Sequence, residues 1–137
     1  MKKISFLILI LLILTSCTGT NDWKFSLPNG YEVWRINSSE IKVVSINNNV
    51  GKEIIPSFVK EFAYDSQYVF TRNIDNISTN NIFNEEFYIL DTKSGMLYGP
   101  YNDMEDLRSN IEKLKIELPI NWYRTSPDPN IQNVVTS

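Results

Sequence analysis

The chain has a single cysteine, Cys17, so no internal disulfide can staple it and its fold must be held by packing and hydrogen bonds. The position of that cysteine is as restrictive as its solitude. Met1 is followed by Lys2 and Lys3, by an apolar run from Ile4 to Leu14 in which only Ser5 is polar, and then by Thr15-Ser16-Cys17. A charged start, an apolar middle and small residues before a cut make the secretory pattern. The apolar run is too short for a bilayer, which needs about 20 residues. A cysteine directly after Leu14-Thr15-Ser16 stands where a bacterial lipoprotein carries thioether-linked diacylglycerol. Residues 1–16 therefore read as a removed lipoprotein signal peptide, and Cys17 as the lipidated first residue of the mature chain. Two blander readings compete: a plain cleaved signal with an incidental thiol, and an uncleaved anchor helix. The second sits badly with the polar stretch Thr18 to Asp22.

Lipidation would consume the free sulfur, and two acyl chains anchor stably where one does not. The first expected partner is thus the membrane itself, through the lipid on Cys17. Residues 17–22 form a lipidated tether whose last five members reach at most about 17 Å. The domain is expected almost on the membrane surface, at the extracytoplasmic face, within reach of a partner protein of the envelope.

Without residues 1–16, one domain's worth of chain is left, enough to bury roughly two thirds of its unfolded surface. Without Lys2 and Lys3 there are 11 basic side chains against 16 acidic ones, a net of −5. Nucleic acid is a poor partner for such a chain, because phosphate binding needs clustered Lys and Arg. There is no histidine. Ser-His-Asp and Cys-His catalytic sets and His or Cys zinc sites are thereby excluded. The adjacent acids Glu85-Glu86 and Glu105-Asp106 diverge on any strand or helix, and read as solvated or capping carboxylates. No calcium loop, P-loop or dinucleotide glycine pattern is present, and Asn73-Ile74-Asp75-Asn76 is too irregular for a calcium loop. No catalytic residue, metal ligand or cofactor is nominated. Trp34, Tyr101 and the tether-adjacent Trp23 are candidates for contact surfaces.

The pattern downstream is of short strands and turns. Strands are expected over 23–27, 31–36, 41–46, 68–72, 87–90 and 96–98, with a loop at the asparagine triplet and Gly51. Residues 54–64 read as a strand with Phe58, Phe62 and Tyr64 on one face, although a helix over 57–63 is a rival. Residues 73–84 read as a polar loop. Asp91 to Gly95 is the clearest hairpin turn, since Gly95 can adopt the left-handed conformation of a bulged turn. A helix is expected from about Asp103 to Lys115, with Met104, Leu107, Ile111 and Leu114 as its apolar stripe and Asn102 as N-cap with Glu105 three residues on. Residues 118–123 return to the sheet, the domain spans 23–123, and 124–137 read as a disordered tail.

The fold class expected is α+β: one antiparallel sheet of five to seven strands with the C-terminal amphipathic helix on one face. Three motifs, Leu27-Pro28-Asn29-Gly30-Tyr31, the Phe62-Ala63-Tyr64-Asp65 to Tyr68 hairpin, and Tyr98-Gly99-Pro100-Tyr101 leading into the helix, accompany the short tether. Together they resemble a family of small uncharacterised lipoproteins of low-GC Gram-positive bacteria, over residues 1 to about 120. The resemblance implies an address and a fold type, and no activity. The function expected is a membrane-anchored, non-enzymatic binding or accessory module at the cell envelope. One rival is an inhibitor or immunity-type lipoprotein presenting loop 73–84. Another is a carboxylate-based cell-wall hydrolase, which needs convergence among acids such as Glu85, Glu86 and Asp91.

Overall fold

Alternation of apolar and polar side chains from Trp23 onward gives strands with one face to bury, and Pro56 divides them into two sheets. The computed structural model describes residues 22–48, 50–75, 84–117 and 120–131. Trp23–Leu27 (β1), Tyr31–Arg35 (β2), Ile41–Asn47 (β3) and Val50–Ile55 (β4) form an antiparallel sheet in sequential order. Val59–Tyr64 (β5), Tyr68–Asp75 (β6), Asn84–Asp91 (β7), Met96–Tyr101 (β8) and Trp122–Arg124 (β9) form a second, in the order β8-β7-β6-β5-β9. Proline cannot donate to a ladder, so β4 stops at Ile55 and residues 56–58 carry the chain across to the other sheet.

The two sheets pack face to face. Val33, Val43 and Ile55 of the first meet Val59, Phe62, Val69 and Leu90 of the second, all fully buried. A ring cluster ties β1 across the layers to β5 and β9. The Phe25 ring centroid lies 5.0 Å from that of Phe62 and 5.4 Å from that of Tyr123, and Phe62 and Tyr123 stack at 5.4 Å. Such pairs contribute about 0.5–1.5 kcal/mol each beyond area burial.

Helix α1 (Met104–Lys113) covers the outer face of the second sheet, burying Leu107 and Ile111 against Ala63, Phe70, Phe87 and Ile89. With both faces of that sheet covered, β7 has four consecutive buried residues from Phe87 to Leu90, alternately facing the helix and the first sheet.

The α+β class and the helix packed on one sheet face are as the sequence predicts. The single sheet of five to seven strands is corrected to nine strands in two sheets among the described residues. One strand, β4, comes from a segment read as loop, and another, β9, from the segment 118–123 that was expected to return to the sheet. In β4, Gly51 looks like loop chemistry; its missing side chain instead makes room for Trp34, whose ring would lie 2.5 Å from a Cβ there. In β9, three residues pair with Glu61 to Ala63 on the β5 edge.

The helix rival at 57–63 gives way to strand β5. Phe58 does not share the Phe62 face: it precedes the strand at φ +75°, and a register shift between Val59 and Glu61 lets Val59 and Phe62 point the same way. The N-cap of α1 is Asp103, not Asn102. Asp103 is extended, and its carboxylate accepts the Asp106 amide at 2.8 Å. Met104 of the expected stripe is 37% exposed, and Ile116 beyond the helix is buried in its place.

The expected disordered tail begins too early. Thr125 is 3% exposed, and its hydroxyl donates within reach of the carbonyls of Val59 at 3.1 Å and Lys60 at 3.0 Å. Asn130 donates to the carbonyl of Lys24 at 3.2 Å. The hairpin turn is as expected: Gly95 sits at φ +75° and its amide donates to the Asp91 carbonyl at 2.8 Å.

Candidate functional site

Between the sheets, the facing residues of β6 and β7 change character along the strands. Val69 pairs with Leu90, Thr71 with Tyr88, Asn73 with Glu86 and Asp75 with Asn84. Val69, Tyr88 and Leu90 belong to the inter-sheet core, so strand alternation carries the whole row to that side. The layer is thus apolar at the turn end and amide and carboxylate at the other. There it opens into a cleft of about 350 Å³ lined by Glu53, Phe58, Asn73, Asp75, Asn84 and Glu86.

Asn73 organises the cleft. It is 4% exposed, and its Nδ2 donates to the carbonyls of Pro56 at 2.9 Å and Ser57 at 3.2 Å. Both partners are acceptors, so the amide orientation is determined: NH₂ toward the inter-sheet crossing, Oδ1 away from it. These bonds pin the crossing where Phe58 holds φ +75°, a conformation that costs a bulky residue of order 1–3 kcal/mol. Asn73 Oδ1 is buried with no protein donor among the described residues, and the same is true of Thr71 Oγ1. Unsatisfied buried polar atoms are uncommon and each calls for a physical reason.

The carboxylates differ in how they are held. Glu53 is ion-paired to Lys42 at 3.2 Å, and Lys42 also binds Glu40 at 3.0 Å. Glu86 accepts the Tyr88 hydroxyl at 2.8 Å. Burial, reinforced by that hydrogen bond and the nearby negative charge, pushes the Tyr88 phenol up to about 12. Tyr88 therefore remains a hydrogen-bond donor throughout the physiological range. Asp75 and Asn84 are partly or largely exposed at the mouth. The cleft consequently combines the carboxylates of Glu53, Asp75 and Glu86 with the Asn84 amide and the Ser57 hydroxyl, which can both donate and accept. No group of three His, Cys, Asp or Glu residues that could hold a metal ion occurs among the described residues.

The acids singled out from the sequence do not converge. Glu85 lies on the helix side of the sheet, where it contacts Arg72 Nε while Arg72 also binds Glu61 at 3.1 Å. Glu86 points between the sheets. Asp91 is used by its own turn: burial raises it, but hydrogen bonds from the side chain and amide of Ser94, the Lys93 amide and Gln67 outweigh this and hold it below the usual carboxylate range. Asp106 is in the first turn of α1 beside exposed Glu105.

Of the aromatic candidates, Trp34 is half-buried, with Lys24 Nζ 4.0 Å above its ring and its Nε1 donating to Glu32 at 2.5 Å. Trp23 and Tyr101 are half-buried and pack on the two cores. Trp23 also lines a second cleft of about 310 Å³ with Arg35 and residues 125–128, at the same end of the sandwich as the first.

Cys17, the signal segment and most of loop 73–84 lie outside the described residues, whereas Asn73 to Asp75 and Asn84 are strand. Sequence reasoning missed Asn73 and Asp75 as site residues by reading them as loop. The available signal was the period-two series Val69, Thr71, Asn73, Asp75, which continues one strand face into polar residues. Among the described residues no helix is long and apolar enough to cross a membrane.

No curated protein and no solved structure matches the chain. A family model described as "Protein of unknown function (DUF3997)" matches residues 28–124, from the turn after β1 to the end of β9, and so takes in every strand but β1, together with α1 and the residues that line the first cleft. The chain belongs to the DUF3997 family.

Proposed function

We propose that the protein is a lipid-anchored, extracytoplasmic binding module of the cell envelope, a lipoprotein of the kind found in low-GC Gram-positive bacteria, acting without catalysis. The observation that carries this reading is the N-terminal pattern Lys2-Lys3, Ile4 to Leu14 and Leu14-Thr15-Ser16-Cys17. The fold is compatible with it. The first strand begins at Trp23, six residues beyond Cys17, so a diacylglyceryl group there would hold the sandwich close to the bilayer. Both clefts are at the end of the sandwich where β1 begins. A domain tethered through that end would turn them toward the membrane surface and whatever is embedded in it.

A carboxylate hydrolase is the weaker reading, because Glu85, Glu86 and Asp91 are aimed at three different surroundings. The experiment that tests the binding-module reading is mild in-cell crosslinking, followed by isolation of the protein from membranes beside a Cys17→Ala variant. A stoichiometric envelope partner that is lost with Cys17→Ala is the expected result. Recovery of the bare protein from both cells would count against it.

A further inference from the structure

We infer that Asn29, in the chain's one Asn-Gly pair, is a latent deamidation site that the folded turn holds shut, and that its reaction unties the end of the sandwich remote from the two clefts. The inference is independent of both the anchor and the binding reading.

Asn29 joins three turns. It lies in the turn Pro28–Gly30 between β1 and β2, and its Nδ2 donates to Thr92 Oγ1 at 2.8 Å and to the Ser66 carbonyl at 3.3 Å. Ser66 belongs to the turn between β5 and β6, and Thr92 opens the turn between β7 and β8. The single proton of the Thr92 hydroxyl goes to the Gln67 carbonyl, so its oxygen serves Asn29 as an acceptor. The amide orientation of Asn29 follows, with nitrogen toward both acceptors.

The chemistry open to an Asn-Gly pair is intramolecular. The deprotonated Gly30 amide nitrogen attacks Asn29 Cγ; a C–N bond forms, the Cγ–Nδ2 bond breaks, and ammonia leaves with the proton. Water then opens the succinimide at one of its two carbonyls and leaves aspartate or isoaspartate. Glycine favours the attack because no Cβ obstructs its nitrogen. Ring closure needs that nitrogen on the same side of the Cα–C bond as the Asn29 Cβ. Asn29 instead holds φ 58° and ψ 33°, a left-handed conformation that asparagine tolerates. At this ψ the Gly30 nitrogen stands nearly opposite Cβ, while Thr92 and Ser66 keep hold of Nδ2. The folded turn is therefore unreactive, and the reaction proceeds from an opened one. Asn29 and Gly30 are both exposed, so nothing bars water from the succinimide. The product cannot restore the tie: a carboxylate has no proton for the Ser66 carbonyl or the Thr92 oxygen, and isoaspartate also lengthens the backbone.

The test is incubation of the full-length protein in detergent micelles at mildly alkaline pH, native and in urea, with mass spectrometry of the tryptic peptide 25–35. Conversion of Asn29 to an aspartate and isoaspartate pair is expected at least about tenfold more slowly in the native protein than in urea. Thr92→Val keeps shape and removes the acceptor, so its native rate should rise severalfold, with a thermal melt establishing that it is folded. Asn29→Asp, the product made directly, should lose hydrogen-exchange protection at the Thr92 amide, which donates to the Gln67 carbonyl at 2.8 Å. Equal rates in the native and urea samples, no conversion in urea, an unchanged native rate in folded Thr92→Val, or unchanged Thr92 protection in Asn29→Asp would each overturn the inference.

Discussion

Asn73 and Glu86 face each other across β6 and β7, one buried amide and one carboxylate at the point where the apolar filling between the sheets gives out. Asn73 secures the crossing from one sheet to the other through Pro56 and Ser57, while Glu86 is held by Tyr88. The cleft is therefore attached to Phe58, which holds a positive φ, by a residue that also lines it.

Asn73→Ala removes both bonds to the crossing and leaves two carbonyls underserved. It should lower the unfolding free energy by about 1–3 kcal/mol. Asn73→Asp, with a carboxylate facing those carbonyls, should be worse near neutrality and recover partly in acid. Urea unfolding of both variants at two pH values checks this, and an Asn73→Asp variant insensitive to pH would show that the contact is not made.

The Tyr88 phenol has a folded value of about 12 against an ordinary value of 10.0. A group raised on folding contributes stability that is complete below its unfolded value and is lost as pH rises through the folded one. Tyr88 should thus stabilise the protein fully below about pH 10, and this part should disappear toward pH 12. Thermal melting of the protein and of Tyr88→Phe across the alkaline range checks it. The two melting temperatures should converge as pH rises, and a constant gap would contradict the assignment.

Asp103 and Asn102 compete in the sequence for the cap of α1, and only Asp103 bonds the Asp106 amide. Asp103→Ala should cost about 1 kcal/mol, whereas Asn102→Ala should stay within about 0.5 kcal/mol of the parent. Chemical denaturation of the pair distinguishes the two caps, and equal effects would place the helix start elsewhere.

Thr125→Val keeps the shape of a side chain that is 3% exposed and removes a hydroxyl that serves the carbonyls of Val59 and Lys60. About 1–2 kcal/mol should be lost. A chain ending at Arg124 should lose more, because Thr125 also donates its backbone amide to Lys60. Protease resistance of the truncated chain equal to that of the parent would show that residues beyond β9 are dispensable.

Much of this architecture was legible because it depends on periodicity. The stripe Leu107, Ile111 and Leu114 finds its sheet, and Asp91 to Gly95 makes its turn. What escaped reading depends on contacts distant in sequence. Gly51 is strand because Trp34, seventeen positions earlier, lies over it. The return to the sheet after α1 was expected over 118–123, but not that it would be the Trp122 to Arg124 stretch on the edge of β5. Nothing local marks Val59 and Phe62 as sharing a face, since the irregularity between them breaks the period of two. The cleft was hidden for a related reason. Asn73 and Asp75 carry turn-forming chemistry in a strand position, and their partners Glu86 and Asn84 come from a strand joined only after a polar stretch.

The most direct test of the account is the mass of the N-terminal peptide of the protein isolated from its own membranes. The account predicts a peptide that begins at Cys17 and carries thioether-linked diacylglycerol, and its absence from membranes in Cys17→Ala cells. A peptide that begins elsewhere with a free Cys17 thiol, or one that retains Met1 to Ser16, would contradict it.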